Sequence, residues 1–210
     1  MTSGGFEEAA NSRVLAEERA RVVAAFSKVA SELGYRGLEM ERVARYAGLP
    51  LERCQQYFAT KEQGLVAAQD AFLDRLWDEV VSARGGALTW PDRVRDALRA
   101  VLGIIVEASP LARVFMVEAT AASMAAAERQ YAFLGRLADL LRSGRVGRPE
   151  AALMPAATER LLVGGMASIV CEHLLAEEPA ALSAMEPELL EVMLMPYLGA
   201  AEARHQARSL

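Results

Sequence analysis

The chain has 210 residues, 53% of them hydrophobic and only 6% aromatic, with a formal net charge of −5 at pH 7. That length suits one large or two small domains, and a core so poor in aromatics must rest on Ala, Leu, Val and Met, which favours helices. Two cysteines, Cys54 and Cys171, imply no disulfide framework and make a reducing cytoplasm the expected compartment. The opening MTSGGFEEAANSR lacks the basic start and apolar run of a signal peptide. No stretch reaches the roughly 18 uninterrupted apolar residues of a membrane span, so no membrane partner is expected.

In chain order, residues 1–14 read as a disordered arm. Val22, Phe26, Val29, Ala30 and Leu33 then recur at helical spacing, and Gly34 stops the run. Met40, Val43, Ala44 and Ala47 make a second stripe ended by Gly48, and a short helix covers about Leu51 to Tyr57. A longer one runs from Lys61 to Gly85-Gly86, the expected domain boundary. Beyond it, Thr89-Trp90-Pro91 starts a helix through Ile105, and Ser109-Pro110 reads as the cap and first position of the next. Tyr131 to Leu141 forms another, stopping near Gly144. A long apolar helix spans about Ala156 to Ala176, and a last one runs from about Pro187 to Ala203, bent at Pro196. No segment alternates as a strand would. The pattern predicts an all-α chain of about nine helices.

Charge is unevenly spread. From Arg13 to Lys61 there are nine basic residues against six glutamates, a local excess on an otherwise acidic chain. A basic end on an acidic body suits a polyanion-binding module joined to something else. Within it lies VARYAGLPLERCQQYFATKE, residues 43–62. Ala44 is small enough for two helices to cross closely, and Gly48, four residues on, can take the positive φ of a tight helix–turn–helix. Val43, Ala47, Leu49, Cys54 and Tyr57 or Phe58 are the inward positions. Glu52, Arg53, Gln55 and Gln56 then face out, and Arg and Gln are side chains that hydrogen-bond guanine and adenine edges. Lys61 opens the following helix, where a cation can meet a phosphate.

Residues 22–62 resemble the TetR family of bacterial transcriptional regulators. The likeness lies in a first helix with its Phe, then Gly-Tyr, an x-x-V-A-x-x-A-G-L second helix, a recognition helix ending in Tyr-Phe, and x-x-K-E. The family's usual Thr and Ser at the start of the second helix are Leu38 and Glu39 here, and its mid-recognition Tyr is Gln55. The resemblance implies an N-terminal helix–turn–helix domain over 15–84, with the motif near 39–58. A helical ligand-binding and dimerisation domain would follow over 85–205. It places DNA contacts at Arg53, Gln55, Gln56, Tyr57 and Lys61, with Arg42 beside them. It also implies a homodimer on a palindromic double-stranded operator and a small-molecule effector.

For the second domain, adaptable Met packing suits a promiscuous apolar site, and Glu118, set among apolar neighbours, could fix a ligand's polar end. Leu102, Phe115, Glu118, Met166, Val170 and Cys171 are the candidate ligand contacts. Gly164-Gly165 inside a helix costs roughly 1 kcal/mol per Gly, tolerable where two helices approach closely. Leu161, Leu162, Gly165, Ile169, Leu190 and Met193 are therefore the candidate dimer contacts. His173 and His205 lack partners at metal-ligand spacing, so no metal or cofactor is expected, and no catalytic constellation is visible. The alternative is a helical protein-interaction module whose motif no longer binds DNA, suggested by Leu38, Glu39 and Glu52.

Overall fold

The computed structural model describes residues 3–85 and 89–209, and among them every regular element is helical. Four helices form the N-terminal part: α1 (Ser3–Leu33), α2 (Met40–Ala47), α3 (Leu51–Tyr57) and α4 (Lys61–Arg84). The expected disordered arm is helical from Ser3 onward. Glu7-Glu8 and Ala9-Ala10 are helix formers, and Arg13 pairs with Glu17 one turn on at 2.9 Å. Gly85 ends α4, while Gly86, the other half of the expected boundary, lies outside the described residues.

The body begins with α5 (Trp90–Glu107), capped by the Thr89 hydroxyl on the Asp92 N–H as its sequence predicts. Next come α6 (Ser109–Arg113), a π-helical turn over Val114–Glu118, and α7 (Ala119–Ala122). Ser109 is not the cap expected of it; Ala108 holds that position and no side chain caps the turn. α8 (Met124–Arg142) leads through a loop and α9 (Pro149–Ala152) to α10 (Thr158–Leu175). α11 (Ala181–Ala184), α12 (Glu186–Leu198) and α13 (Ala200–Arg208) complete the described chain. The short turns raise the number of helices above the nine expected. The last helix was expected to bend at Pro196. It instead continues two residues past that proline and breaks at Gly199, where φ 77° and ψ 161° are open to glycine.

One continuous apolar core runs from Val22 in α1 to Ala203 in α13. α4 is the element common to both parts, packing on α1 at one end and along α5 and α8 further on. Its start is set by Thr60, whose hydroxyl accepts from the Gln63 N–H while the Gln63 amide accepts from the Ala59 N–H at 2.9 Å. Gly64, one turn in, is where α4 meets α1: a Cβ there would stand 2.0 Å from the Phe26 ring. Only glycine permits that approach.

Candidate functional site

The helix–turn–helix forms as its spacing predicts. Gly48 sits at φ 64° and ψ 37°, and the Leu49 N–H donates to the Ala44 carbonyl at 3.2 Å, closing α2 against the turn. Val43, Ala44, Ala47, Cys54 and Phe58 are buried, Phe58 meeting Phe26 edge-on at 5.8 Å. Phe58, not Tyr57, fills the inward position at the end of α3. Burial pushes the Cys54 thiol up, so this cysteine behaves as a small hydrophobe and not as a reactive thiolate.

Of the six residues predicted to face DNA, Gln55 and Gln56 are exposed on α3, while Arg53, Tyr57, Lys61 and Arg42 are half-buried. Arg53 is not a loose cation. Its Nε donates to Glu18 at 2.8 Å, its Nη1 donates to the Gln56 amide oxygen at 2.8 Å, and its guanidinium lies 5.2 Å from the Tyr57 ring centre. Tyr57 donates to the same Glu18 oxygen at 2.7 Å. Those bonds, Tyr57 first and Arg53 second, hold the Glu18 carboxyl below the ordinary carboxylate range, so it stays charged. Arg42 pairs with Glu39 at 3.1 Å, and the Lys61 ammonium lies 5.0 Å over the Tyr35 ring. The arrangement leaves Gln55 exposed and holds the Arg53 fork at Nε by Glu18 and at Nη1 by the exposed Gln56.

Glu18 was missed by sequence reasoning, yet it left a signal. It stands one turn before Val22 and two before Phe26, a carboxylate in the register of the buried stripe.

In the body, a cavity of about 60 Å³ lies between α4, α5, α8, α10 and α12. Leu102, Met166 and Val170, three of the six predicted ligand contacts, line it. The other three do not. Phe115 is fully buried against Phe72, 5.5 Å between ring centres, and the half-buried Cys171 thiol lies 3.8 Å from the Met116 carbonyl. Glu118 turns away from the cavity altogether. It accepts from the Tyr35 N–H at 2.8 Å, faces Arg113 at 3.4 Å and lines an open groove of about 880 Å³ between α1 and α6. Side chains two residues apart on a helix point to nearly opposite sides, so Met116 points to the cavity and Glu118 meets the end of α1. The Phe115 carbonyl, in the π-helical turn, accepts from the buried Gln69 amide at 3.1 Å. One short segment thus touches both the cavity and the head.

The predicted dimer contacts also divide. Leu161 is 73% exposed and Gly165 is exposed, whereas Leu162 and Ile169 are half-buried. Leu190 and Met193 are buried inside the subunit, Met193 lining the cavity, and so are not available to a partner. The outward face of α12 instead presents Val192 and Met195, 48% and 38% exposed. An apolar helix with a small moment gives no sequence cue to which stripe faces in.

A second feature invisible in the sequence is Glu159, fully buried at the start of α10. It receives Arg145 at 2.6 and 2.9 Å and the Tyr197 hydroxyl at 3.0 Å. Burial alone would raise its pKa; the Arg145 bond and its other donors outweigh that and hold it below the ordinary range. The group ties the loop after α8 to α12. Among the described residues no three His, Cys, Asp or Glu side chains gather as a metal site, and no single helix is long and apolar enough to cross a membrane.

No family model and no curated protein matches the sequence. Solved structures do match the fold. A putative TetR-family transcriptional regulator from Rhodococcus sp. is 22% identical, covers 80% of this chain and 98% of its own, and superposes with a TM-score of 0.59. The chain has the TetR-regulator fold. The fatty acid degradation regulator FadR from Bacillus halodurans is 17% identical over 84% of this chain and 94% of its own, with a TM-score of 0.70. RolR, solved in complex with resorcinol, is 19% identical over 95% of this chain and 97% of its own, with a TM-score of 0.64. The expected all-α architecture with an N-terminal helix–turn–helix therefore stands.

Proposed function

We propose that this chain is a TetR-family transcriptional regulator, a homodimeric, ligand-released repressor that carries no catalytic chemistry of its own. The observation that carries the reading is α3. It follows a left-handed glycine turn, buries Cys54, and presents Gln55, Gln56 and the Arg53 fork outward from a head mounted on a body with an apolar cavity. Two such helices, one per subunit, would enter successive major grooves of a palindromic site about 34–36 Å apart. Arg53 and the two glutamines read base edges, while Lys61 and Arg42 meet phosphates.

The outward faces of α10 and α12, with Leu161, Gly165, Val192 and Met195, would pair with a second copy as a four-helix bundle. RolR, which shares the fold, holds resorcinol, in keeping with a small, largely apolar effector in the cavity here. Leu73 and Leu76 of α4 form one wall of that cavity, and the same helix carries Gly64 against Phe26. A ligand that widens the cavity would shift α4 and hence the spacing of the two heads. Typical coupling of about 1–3 kcal/mol would weaken DNA binding 5- to 150-fold.

The test is selection from random DNA, followed by fluorescence anisotropy on the selected sequence and a scrambled control at two salt concentrations. Tight, salt-sensitive binding that favours the selected sequence is expected. Equal, weak binding to both would sink the reading. It would favour a protein-interaction module, a second reading kept by the glutamates that already occupy Arg53 and Arg42.

A further inference from the structure

The chemistry of the cavity narrows the ligand class, an inference that rests on the cavity being the effector site. Of its twenty described lining residues, nineteen are Leu, Ile, Val, Ala, Met or Phe, none is charged, and the only polar one is Gln130 on α8. Charges on the same helix near it are turned outward, and Glu128 is exposed. Arg129 pairs with Asp70 at 3.4 Å, and the Arg136 guanidinium lies 3.9 Å over the Trp77 ring. Gln130 itself is incomplete: its Oε1 is buried and has no hydrogen-bond partner among the described residues. A buried acceptor without a partner is costly, and an apolar wall cannot supply one.

We infer that the cavity accepts a neutral, mainly hydrocarbon molecule bearing one hydroxyl, which the Gln130 amide binds, and that it refuses carboxylates and amines of the same length. A carboxylate would enter without a guanidinium or ammonium to receive it, and an amine without a carboxylate. To stay neutral in the cavity, a carboxylate must take up a proton and an ammonium must give one up. A hydroxyl both donates and accepts, so it satisfies the amide in either orientation. The free volume of about 60 Å³ is below the ~150 Å³ of an engineered cavity that takes benzene, so the ligand must widen the site. Met116, Met166 and Met193, unbranched side chains on three different elements of the wall, are the ones able to swing aside. One of them, Met116, lies in the same π-helical turn as Glu118, which meets the head through the Tyr35 N–H.

The experiment uses the full chain and four probes of one length: n-octanol, octanoate, octylammonium and octane. Binding is read by calorimetry and by the shift of the melting temperature at pH 7. n-Octanol is expected to bind at least tenfold more tightly than octanoate or octylammonium. Gln130→Leu should weaken n-octanol about two- to tenfold, the worth of one neutral hydrogen bond, and leave octane unchanged. Gln130→Met serves as a second variant should the first melt early. Octanoate or octylammonium binding as well as the alcohol would overturn the inference, as would both variants binding n-octanol like the unaltered chain. Failure of all four probes in a chain that still binds its selected DNA would overturn the inference and the cavity reading together. Loss of DNA selectivity in a chain that ranks the probes as stated would instead count against the regulator reading alone.

Discussion

The head and the body of this molecule treat charge in opposite ways. In the helix–turn–helix of the head, cations are present but tied: Arg53 to Glu18, Arg42 to Glu39, Lys61 against the Tyr35 ring. In the body, no described residue lining the cavity is charged, and the oxygen of its single amide has no partner among the described residues. Polar groups at the helix–turn–helix are thus held in fixed directions, while the body encloses an uncharged space. An oriented guanidinium costs less to bring to a base edge than a free one, because less side-chain freedom is lost on binding.

The largest effect should come from the body. Leu190, 1% exposed in α12, was expected at the dimer face but lies in the subunit core, so Leu190→Ala should destabilise the fold by about 3 kcal/mol. Denaturant unfolding measures it. Val192→Asp, one turn-face away and half exposed, should leave subunit stability nearly unchanged yet dissociate the proposed dimer in sedimentation. If Leu190→Ala proved neutral while Val192→Asp unfolded the chain, the assignment of faces on α12 would be reversed.

The next effect sits at the junction. Gly64→Ala would place a methyl 2.0 Å from the buried Phe26 ring, and overpacking of this kind costs about 1–3 kcal/mol. Because it disturbs how α4 seats on α1, DNA affinity should fall while n-octanol binding in the body persists. Equal loss of both would show that head and body respond as one unit.

Within the head, Glu18→Ala should blunt sequence discrimination without abolishing binding. Removing the carboxylate frees Arg53 and Tyr57 and deletes a negative charge near DNA, so binding to scrambled DNA should strengthen slightly. Discrimination at the base pair read by Arg53 should fall about tenfold, seen as a relaxed position in the motif selected from random DNA. An unchanged motif would mean that the Glu18 bonds do not orient the fork. The smallest effect belongs to Lys61→Ala. It should weaken all sequences alike and lower the salt slope of binding by about one unit, in titrations at several salt concentrations.

The parts legible beforehand were those governed by local rules. Gly48 and the apolar spacing of α2 and α3 announced the turn and its buried side, and Thr89-Trp90-Pro91 announced the start of α5. What failed had tertiary causes. Glu118 reads as a polar group among apolar neighbours, but the end of α1 packs beside it, so its carboxylate meets the Tyr35 N–H and not the cavity. Leu190 and Val192 are equally apolar, and only the neighbouring helices decide which of them is covered.

By itself, then, the sequence determined the longer helices from α2 onward, the left-handed turn and the outward polar row of α3. Those follow from periodicity, glycine dihedrals and capping, all set within a few residues of chain. Tertiary structure alone decided that Glu18 holds Arg53, that Gln130 lacks a partner in an uncharged cavity, and which face of α12 is free. Each joins or separates residues distant in the chain, and such meetings depend on how helices pack, which no local pattern encodes.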